Sequence, residues 1–199
     1  MALRFRPFSL LALGLAFLAV LVVNQGLSAQ RQAPAEYEYL VLATTKTSTM
    51  EKELQEAAES GYRFAGAMGG KRVFGGEELV VVMQRDSDSM PRFEYKLLST
   101  SKTSTMQKEL QEAGDAGFAY RGQTTLKKES VVILERDRAL ANLRRFEYRV
   151  LATHKTSTMQ DELRVTGAAG FDFAGVTVAP TTFGGKEVMV ILRRLVTDS

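Results

Sequence analysis

A five-residue stretch, Lys-Thr-Ser-Thr-Met, occurs three times in this chain, at 46–50, 102–106 and 155–159. Each copy follows an aromatic-Glu-Tyr tripeptide and precedes a Glu-Leu pair, a glycine and an aromatic residue, in that order. Recurrence at a fixed period of tens of residues is the signature of repeat architectures, in which one unit cannot bury its apolar face alone. The sequence therefore predicts one small unit that is written three times.

The segment before the first Lys-Thr-Ser-Thr-Met has the alternation of a strand. Tyr37, Tyr39 and Val41 fall on one face, and Glu38 and Leu40 fall on the other, which is the period-two pattern of a half-buried strand. Because the aromatic face alternates with a charged residue, we expect it to point into the core and not to form a stacking platform for glycans. The other two copies repeat this pattern.

A helix is predicted to follow each of these strands. Met50, Leu54 and Ala57 recur at the spacing of one helical face. The serine of each Lys-Thr-Ser-Thr-Met fits an N-cap, and the Glu or Gln three residues later fits its partner in a capping box. The predicted capping pairs are Ser48 with Glu51, Ser104 with Gln107, and Ser157 with Gln160. The predicted left-handed glycines at the helix C-termini are Gly61, Gly117 and Gly170.

Two further strands complete each unit. The third strands, at 79–83, 131–134 and 188–192, are apolar on both faces, so we expect them to be central in their sheets. Gly69 and Gly70 are expected in a hairpin turn. The prediction is an α+β fold of three tandem β-α-β-β repeats, over 37–86, 93–137 and 146–195, with helices on one side of mainly antiparallel sheets. A unit of about 50 residues buries too little surface alone, so the repeats should pack together.

Residues 1–29 have the pattern of a secretory signal peptide. Arg4 and Arg6 precede an unbroken apolar run from Leu10 to Val23, and Ala29 or Ala35 ends a small-residue cleavage site. The run is shorter than the roughly 20 residues that a bilayer span requires, yet an uncleaved N-terminal anchor stays an alternative. We therefore expect an exported protein, periplasmic or secreted, whose only membrane contact is this segment if it is kept. Residues 30–36 form a short polar leader.

Charge and cysteine content exclude several function classes. The chain has 26 basic and 23 acidic residues, and loss of Arg4 and Arg6 with the signal leaves 24 against 23. Such a balance lacks the clustered basic surface by which proteins bind nucleic acid. The chain has no cysteine, which excludes disulfides, thiolate catalysis, zinc–cysteine sites and a lipoprotein anchor.

The repeat resembles the small bacterial DUF4177 family. The Tyr-Glu-Tyr type of strand, the helical segment 106–118 with its glycines, and the apolar strand 131–136 that ends in Glu-Arg carry the resemblance, which covers each unit nearly end to end. The family tryptophan after the helix is replaced here by Tyr62, Phe118 and Phe171. The resemblance implies the fold of the unit and supplies no catalytic residues.

No set of residues in the sequence converges on a catalytic or metal-binding motif. His154 is the only histidine, and it has no second histidine or cysteine with which to hold a metal. Ser99 and Lys102 match a Ser-x-x-Lys nucleophile motif without its companion elements, so a serine–lysine hydrolase ranks last among the alternatives. Asp86 and Asp88 lack the glycine and glutamate of a calcium loop. We predict no enzyme, no metal and no cofactor.

The repeated turn is the remaining candidate for binding. A lysine and two hydroxyls beside a helix N-terminus can hold a phosphate, sulfate or carboxylate, although the same residues serve as ordinary caps. The tentative anion-binding residues are Lys46, Thr47, Ser48, Lys102, Thr103, Ser104, Lys155, Thr156 and Ser157. The sequence thus favours a non-catalytic interaction or scaffold module of the bacterial envelope, with an unknown protein or envelope component as partner. The alternative is a binding protein for anionic glycan or lipid head groups at these turns.

Overall fold

The computed structural model describes residues 36–71, 75–180 and 185–197. The predicted signal segment and residues 30–35 lie outside the described residues. Residues 36–199 form a compact unit of their own. Within the described ranges, no helix is both long and apolar enough to span a membrane.

Three similar β-α-β-β units make up the described chain, which is an α+β fold. The first unit consists of β1 (Tyr37–Thr44), α1 (Thr47–Glu59), β2 (Arg63–Lys71) and β3 (Glu77–Asp86). The second consists of β4 (Phe93–Thr100), α2 (Thr103–Asp115), β5 (Ala119–Leu126) and β6 (Glu129–Asp137). The third consists of β7 (Phe146–Thr153), α3 (Thr156–Ala168), β8 (Asp172–Pro180) and β9 (Lys186–Leu195).

Each unit forms its own three-stranded antiparallel sheet, with strand orders β1-β3-β2, β4-β6-β5 and β7-β9-β8. The prediction that the third strand is central is confirmed. The strand is apolar on both faces because a central strand in a covered sheet meets packing partners on each side. In β6, the run from Val131 to Leu134 is fully buried.

The helix termini bear out one prediction and correct another. Gly61, Gly117 and Gly170 follow the helices with φ of 84°, 85° and 83°, which confirms the left-handed C-caps. The predicted serine N-caps are wrong, because each helix begins at the threonine before the serine, which makes the preceding lysine the N-cap, and no side chain caps the helices. The Oγ1 of Thr44 instead accepts the backbone N–H of Lys46 just before α1, and the turns before α2 and α3 repeat this bond.

The three sheets stack on one another with a helix at each junction. α1 packs on β1 of its own sheet and on β4 of the next, α2 packs on β4 and β7, and α3 packs on β7. On the other side of the stack, β2 faces β5 and β5 faces β8. One hydrophobic cluster fills each of the two junctions, and a smaller one lies under α3. Every repeat except the third thus shares its core with the repeat that follows it.

Gly69 and Gly70 lie within β2 and not in the predicted hairpin turn. A Cβ on Gly69 would come within 1.8 Å of the backbone oxygen of Thr125 in β5. The backbone N–H of Gly69 donates to Thr124 Oγ1 at 2.7 Å. Glycine occurs here because two strands from neighbouring sheets approach each other closely. Glycine within a strand often marks such a close approach of another backbone.

Candidate functional site

The three Lys-Thr-Ser-Thr turns lie against different neighbours and do not share a pocket among the described residues. Thr47 and Ser48 line a shallow groove together with Glu51 and Glu109. Thr103 Oγ1 donates to Glu187 of β9 at 2.9 Å. The third turn, Lys155 to Ser157, is exposed. Carboxylates lie beside the first two turns and would repel an anion. Anion binding at the three turns therefore stays a prediction, and the surroundings of the first two turns do not favour it.

The remaining polar candidates make local contacts. The Ser99 hydroxyl donates to the carboxylate of Glu129 and not to Lys102, whose backbone N–H bonds to Thr100. His154 Nδ1 lies 2.7 Å from the backbone oxygen of Lys186. The described residues contain no group of three His, Cys, Asp or Glu side chains placed to hold a metal ion.

A groove of about 670 Å³ is lined by residues of all three repeats and of the linkers between them. Its lining includes seven arginines: Arg63, Arg92, Arg121, Arg136, Arg144, Arg193 and Arg194. Most of these are engaged within the protein. Arg63 and Arg121 pair with the buried carboxylate of Glu135, and Arg92 pairs with Asp137. Arg136 and Arg194 pair with Glu94 and Glu147. The groove is therefore walled by ion pairs that bind neighbouring strands to one another.

One tyrosine joins each of the second and third repeats to the repeat before it. The hydroxyl of Tyr95 accepts the backbone N–H of Phe64 at 2.8 Å and donates to Glu135. The hydroxyl of Tyr148 accepts the N–H of Tyr120 at 2.7 Å and donates to the carbonyl of Phe118 at 2.9 Å. Burial raises the pKa of Tyr148 to about 12, and it raises the pKa of Tyr95 further. Both hydroxyls thus stay protonated and hold two repeats together.

Side chains from each internal helix also bind the edge strand of the next repeat. Gln107 Oε1 accepts the N–H of Val150 at 2.8 Å, and its Nε2 donates to the carbonyl of Tyr148 at 3.0 Å. Gln111 accepts the N–H of Tyr148 at 3.1 Å. From α1, Gln55 and Glu51 accept the backbone N–H groups of Tyr95 and Leu97. An unpaired strand edge is a template for further pairing, and these side chains occupy part of it.

Glycines complete the junctions by admitting neighbouring groups. A Cβ on Gly122 would lie 2.8 Å from the ring of Phe64, and one on Gly175 would lie 2.0 Å from the hydroxyl of Tyr120. In α2, a Cβ on Gly114 would lie 2.2 Å from the backbone oxygen of Phe146. Each junction therefore includes an aromatic residue of the earlier repeat against a glycine of the later one.

At the start of the stack, the same positions meet no such partner among the residues that the structure describes. We call the exposed residues Tyr37, Tyr39, Val41 and Met68, on the outer face of the first sheet, the N-terminal face. The prediction that the first aromatic face is core is wrong here, because Tyr39 is 63% exposed whereas its counterparts Tyr95 and Tyr148 are 4% and 1% exposed. The position of Gly66, which corresponds to Gly122 and Gly175, is open: a Cβ there would meet nothing within 4 Å.

At the end of the stack, the complementary positions are exposed. We call Phe173, Val176 and Val178, on the side of the third sheet that carries α3, the C-terminal face. Phe173 corresponds to Phe64 and Tyr120 but is 61% exposed. Gly167, the counterpart of Gly114 in α3, has open space around its Cβ position. The two faces are thus the two unused halves of one junction.

Sequence reasoning did not find these faces. The available signals were a glycine at the same place in all three second strands, Gly66, Gly122 and Gly175, and a Gln pair four residues apart in α2. The glycines also lie at a register shift within their own sheets, where a β-bulge favours glycine, so their recurrence alone does not reveal a neighbouring repeat.

No protein-family model, no curated protein and no solved structure significantly matches this chain. The resemblance of the repeat to the DUF4177 family therefore stays a prediction.

Proposed function

We propose that this protein is an exported, non-catalytic scaffold that binds protein partners through the two ends of its repeat stack. The observation that carries the proposal is the exposure of the N-terminal face. Tyr39 and Val41 are each more than 60% exposed, at 63% and 62%, on one sheet surface that also carries Met68. Contiguous apolar surface of this kind on a soluble protein marks an interaction site.

The ends of ordinary repeat stacks support this inference. Terminal repeats of solenoid-type proteins carry polar outer faces, because otherwise their apolar surface would make the protein insoluble. Here the first repeat has no helix or charged layer among the described residues over Tyr39, and the third repeat leaves Phe173 and Val178 uncovered. The apolar character of both ends is therefore best explained by a partner that covers them.

The native size of the protein tests the proposal. The full chain with a C-terminal tag is separated by native size in extracts of the cells that produce it. We expect a complex larger than one chain, and loss of that complex in a Tyr39→Ser/Val41→Ser variant. Val165→Ser is the matched control, because Val165 is equally exposed but lies on α3 of the third repeat, away from the N-terminal face. A single-chain size for the unaltered protein would overturn the scaffold proposal.

Export is the second part of the proposal, and the pattern of residues 1–29 supports it. Sequencing of the N-terminus of the mature protein from the envelope or medium should give Gln30 or Glu36 as the first residue. An N-terminus at Met1 in the membrane fraction would instead establish the anchored alternative. Recovery of the protein in the cytoplasmic fraction alone would contradict export.

A second candidate is capture of anionic groups at the repeated turns, which one observation favours. No side chain caps the N-terminus of α3, and the turn from Lys155 to Ser157 beside it is exposed, so its first N–H groups are open to a ligand. The test is calorimetric titration with inorganic phosphate. Binding that is lost in a K46A/K102A/K155A variant with unchanged thermal stability would support this candidate, and the absence of binding to the unaltered chain would remove it.

A further inference from the structure

The two internal junctions of the stack are built in the same way. In each, the first-strand tyrosine of the later repeat bonds to a backbone N–H of the second strand of the earlier repeat, namely Tyr95 to Phe64 and Tyr148 to Tyr120. In each, an aromatic side chain of the earlier repeat covers a glycine of the later one. One surface thus binds its complement twice within a single chain.

The first and third repeats each carry one half of such a junction, which no other repeat among the described residues covers. Tyr39 and Gly66 are the counterparts of Tyr148 and Gly175. Tyr39 is part of the N-terminal face, and Gly66 lies on the same side of the first sheet. Phe173 and Gly167 are the counterparts of Tyr120 and Gly114, and they belong to the C-terminal end. A surface that fits the N-terminal face is therefore already present at the other end of the same molecule.

We propose that a second copy of this chain is the partner, docked head to tail, with its C-terminal face on the N-terminal face of the first. This inference rests on the proposed scaffold function and names the partner. The Tyr39 hydroxyl would accept the backbone N–H of Phe173 of the other copy, and the ring of Phe173 would cover Gly66. The stack of three repeats then continues into a stack of six without a new kind of contact.

Some positions of the third repeat differ from their counterparts in the first two repeats. These differences determine how strong the contact between two copies can be. Arg164 replaces the glutamine found as Gln55 and Gln111, so it can donate to a strand carbonyl but cannot accept a strand N–H. Gln160 keeps the position of Gln107. Val178 occupies the position that is Gly69 in the first repeat and Thr125 in the second. Because Thr125 is also β-branched and lies at the second junction, a branched side chain fits at this position. The intermolecular junction should therefore be weaker than the internal ones and reversible.

The symmetry of this contact differs from that of an ordinary dimer. It joins two different faces, so it is heterologous and leaves one free face at each end of any open assembly. Such contacts close into a ring or extend into a filament, according to the rotation from one copy to the next. The inference therefore predicts contacts between unlike faces and none between like faces.

Cysteine cross-linking tests this directly, because the chain has no cysteine of its own. The positions for the cross-link are chosen from a pair at the first internal junction, Gly69 and Thr124. A Cβ added at Gly69 would lie 3.2 Å from Thr124 Oγ1. Their counterparts at the ends are Val178 and Met68. Two full-length chains with different tags, one carrying Met68→Cys and the other Val178→Cys, are mixed and oxidised with copper phenanthroline. Both positions are exposed, so neither change disturbs a core.

The expected result is a disulfide-linked dimer that contains both tags, at least tenfold more abundant than with a Val165→Cys chain in place of either partner. Chains that carry only Met68→Cys, or only Val178→Cys, should give no more dimer than the Val165→Cys control. The inference is overturned if the mixed dimer does not exceed the control, or if each variant cross-links equally well to itself.

The result separates this inference from the function on which it rests. If the native complex in cells depends on Tyr39 but no mixed disulfide forms, the scaffold function stands and the partner is a different protein. If neither the native complex nor the disulfide is seen, both proposals fail.

Discussion

The hydroxyl of Tyr148 accepts the backbone N–H of Tyr120 at 2.7 Å, and this bond ties the third repeat to the second. Tyr39 occupies the same position in the first repeat and projects from an exposed sheet face. The two tyrosines therefore provide a matched pair, one that makes the junction contacts and one that does not.

Removal of the Tyr148 hydroxyl should destabilise the fold. In Tyr148→Phe, the N–H of Tyr120 and the carbonyl of Phe118 lose a partner in a buried site, at a cost of about 1–3 kcal/mol in the free energy of unfolding. Tyr39→Phe should change it by less than about 0.5 kcal/mol, as for surface substitutions. Urea unfolding of both variants measures the difference. Equal stabilities for the two variants would show that the tyrosine bond does not support the junction.

Alkaline pH should weaken the fold through the same residue. The folded-state pKa of Tyr148, about 12, lies above the ordinary value of 10.0, because burial disfavours the phenolate. A group whose pKa is raised on folding contributes stability below its unfolded pKa and loses it as the pH rises through the folded pKa. The free energy of unfolding should therefore decline between about pH 10 and pH 12.

The Tyr148→Phe variant is the control for this decline. It lacks the titrating hydroxyl, so its stability should fall less than that of the unaltered chain over the same range. Urea unfolding at a series of pH values from about 8 to 11.5 compares the two. Parallel curves would mean that Tyr148 is not responsible.

The glutamines of α2 should matter more than their counterpart in α3. Gln107→Ala/Gln111→Ala removes bonds to Tyr148 and Val150 on the edge of β7, and we expect a loss of about 1–2 kcal/mol in stability. Gln160→Ala makes the same chemical change on α3, where the Gln160 side chain is exposed. Thermal unfolding of monomeric samples should show a lower midpoint for the double variant alone. A comparable loss in Gln160→Ala would argue against edge protection as the role of Gln107.

Two helix glycines should respond in opposite directions to alanine. Glycine within a helix costs roughly 0.5–1 kcal/mol relative to alanine. Gly167→Ala should recover that amount, because its Cβ position is open. Gly114→Ala should instead destabilise, because its Cβ would approach the backbone oxygen of Phe146 to 2.2 Å and the junction must move apart. Chemical unfolding gives the sign for each variant, and stabilisation by Gly114→Ala would contradict the close packing of α2 on β7.

Local features of the fold could be predicted from the sequence because local interactions determine them. The apolar run from Val131 to Leu134 indicates a central strand wherever it occurs, and a glycine such as Gly117 after a helical stripe indicates a left-handed C-cap. The serine N-caps were wrong in all three repeats, because each helix begins at the threonine before the serine. In the first two repeats, the expected capping partners Glu51 and Gln107 bind the edge strand of the following repeat instead. That contact is not visible in the local pattern.

The candidate faces could not be predicted, because nearly identical segments have different environments. Tyr39 and Tyr148 lie in similar strands, Tyr-Glu-Tyr-Leu-Val and Phe-Glu-Tyr-Arg-Val, yet one is exposed and the other buried. The difference arises from the place of each repeat in the stack. The turn predicted at Gly69 was wrong for a similar reason. Gly69 lies within a strand, and glycine is required there because the backbone of Thr125 in the next sheet approaches it closely.

Head-to-tail docking is tested most directly by the mass in solution of two variants, each with one face altered by a charge, measured alone and mixed. Tyr39→Asp places a charge on the N-terminal face, and Phe173→Asp places one on the C-terminal face, so each chain keeps only the opposite face intact. Residues 36–199, a compact unit that holds all three hydrophobic clusters, are studied by sedimentation velocity at about 100 µM, high enough to populate a weak complex. The account predicts that each variant alone is a monomer, that an equimolar mixture forms a dimer of one chain of each kind, and that the unaltered chain forms larger assemblies. A monomeric unaltered chain, or a mixture that stays monomeric, would contradict it.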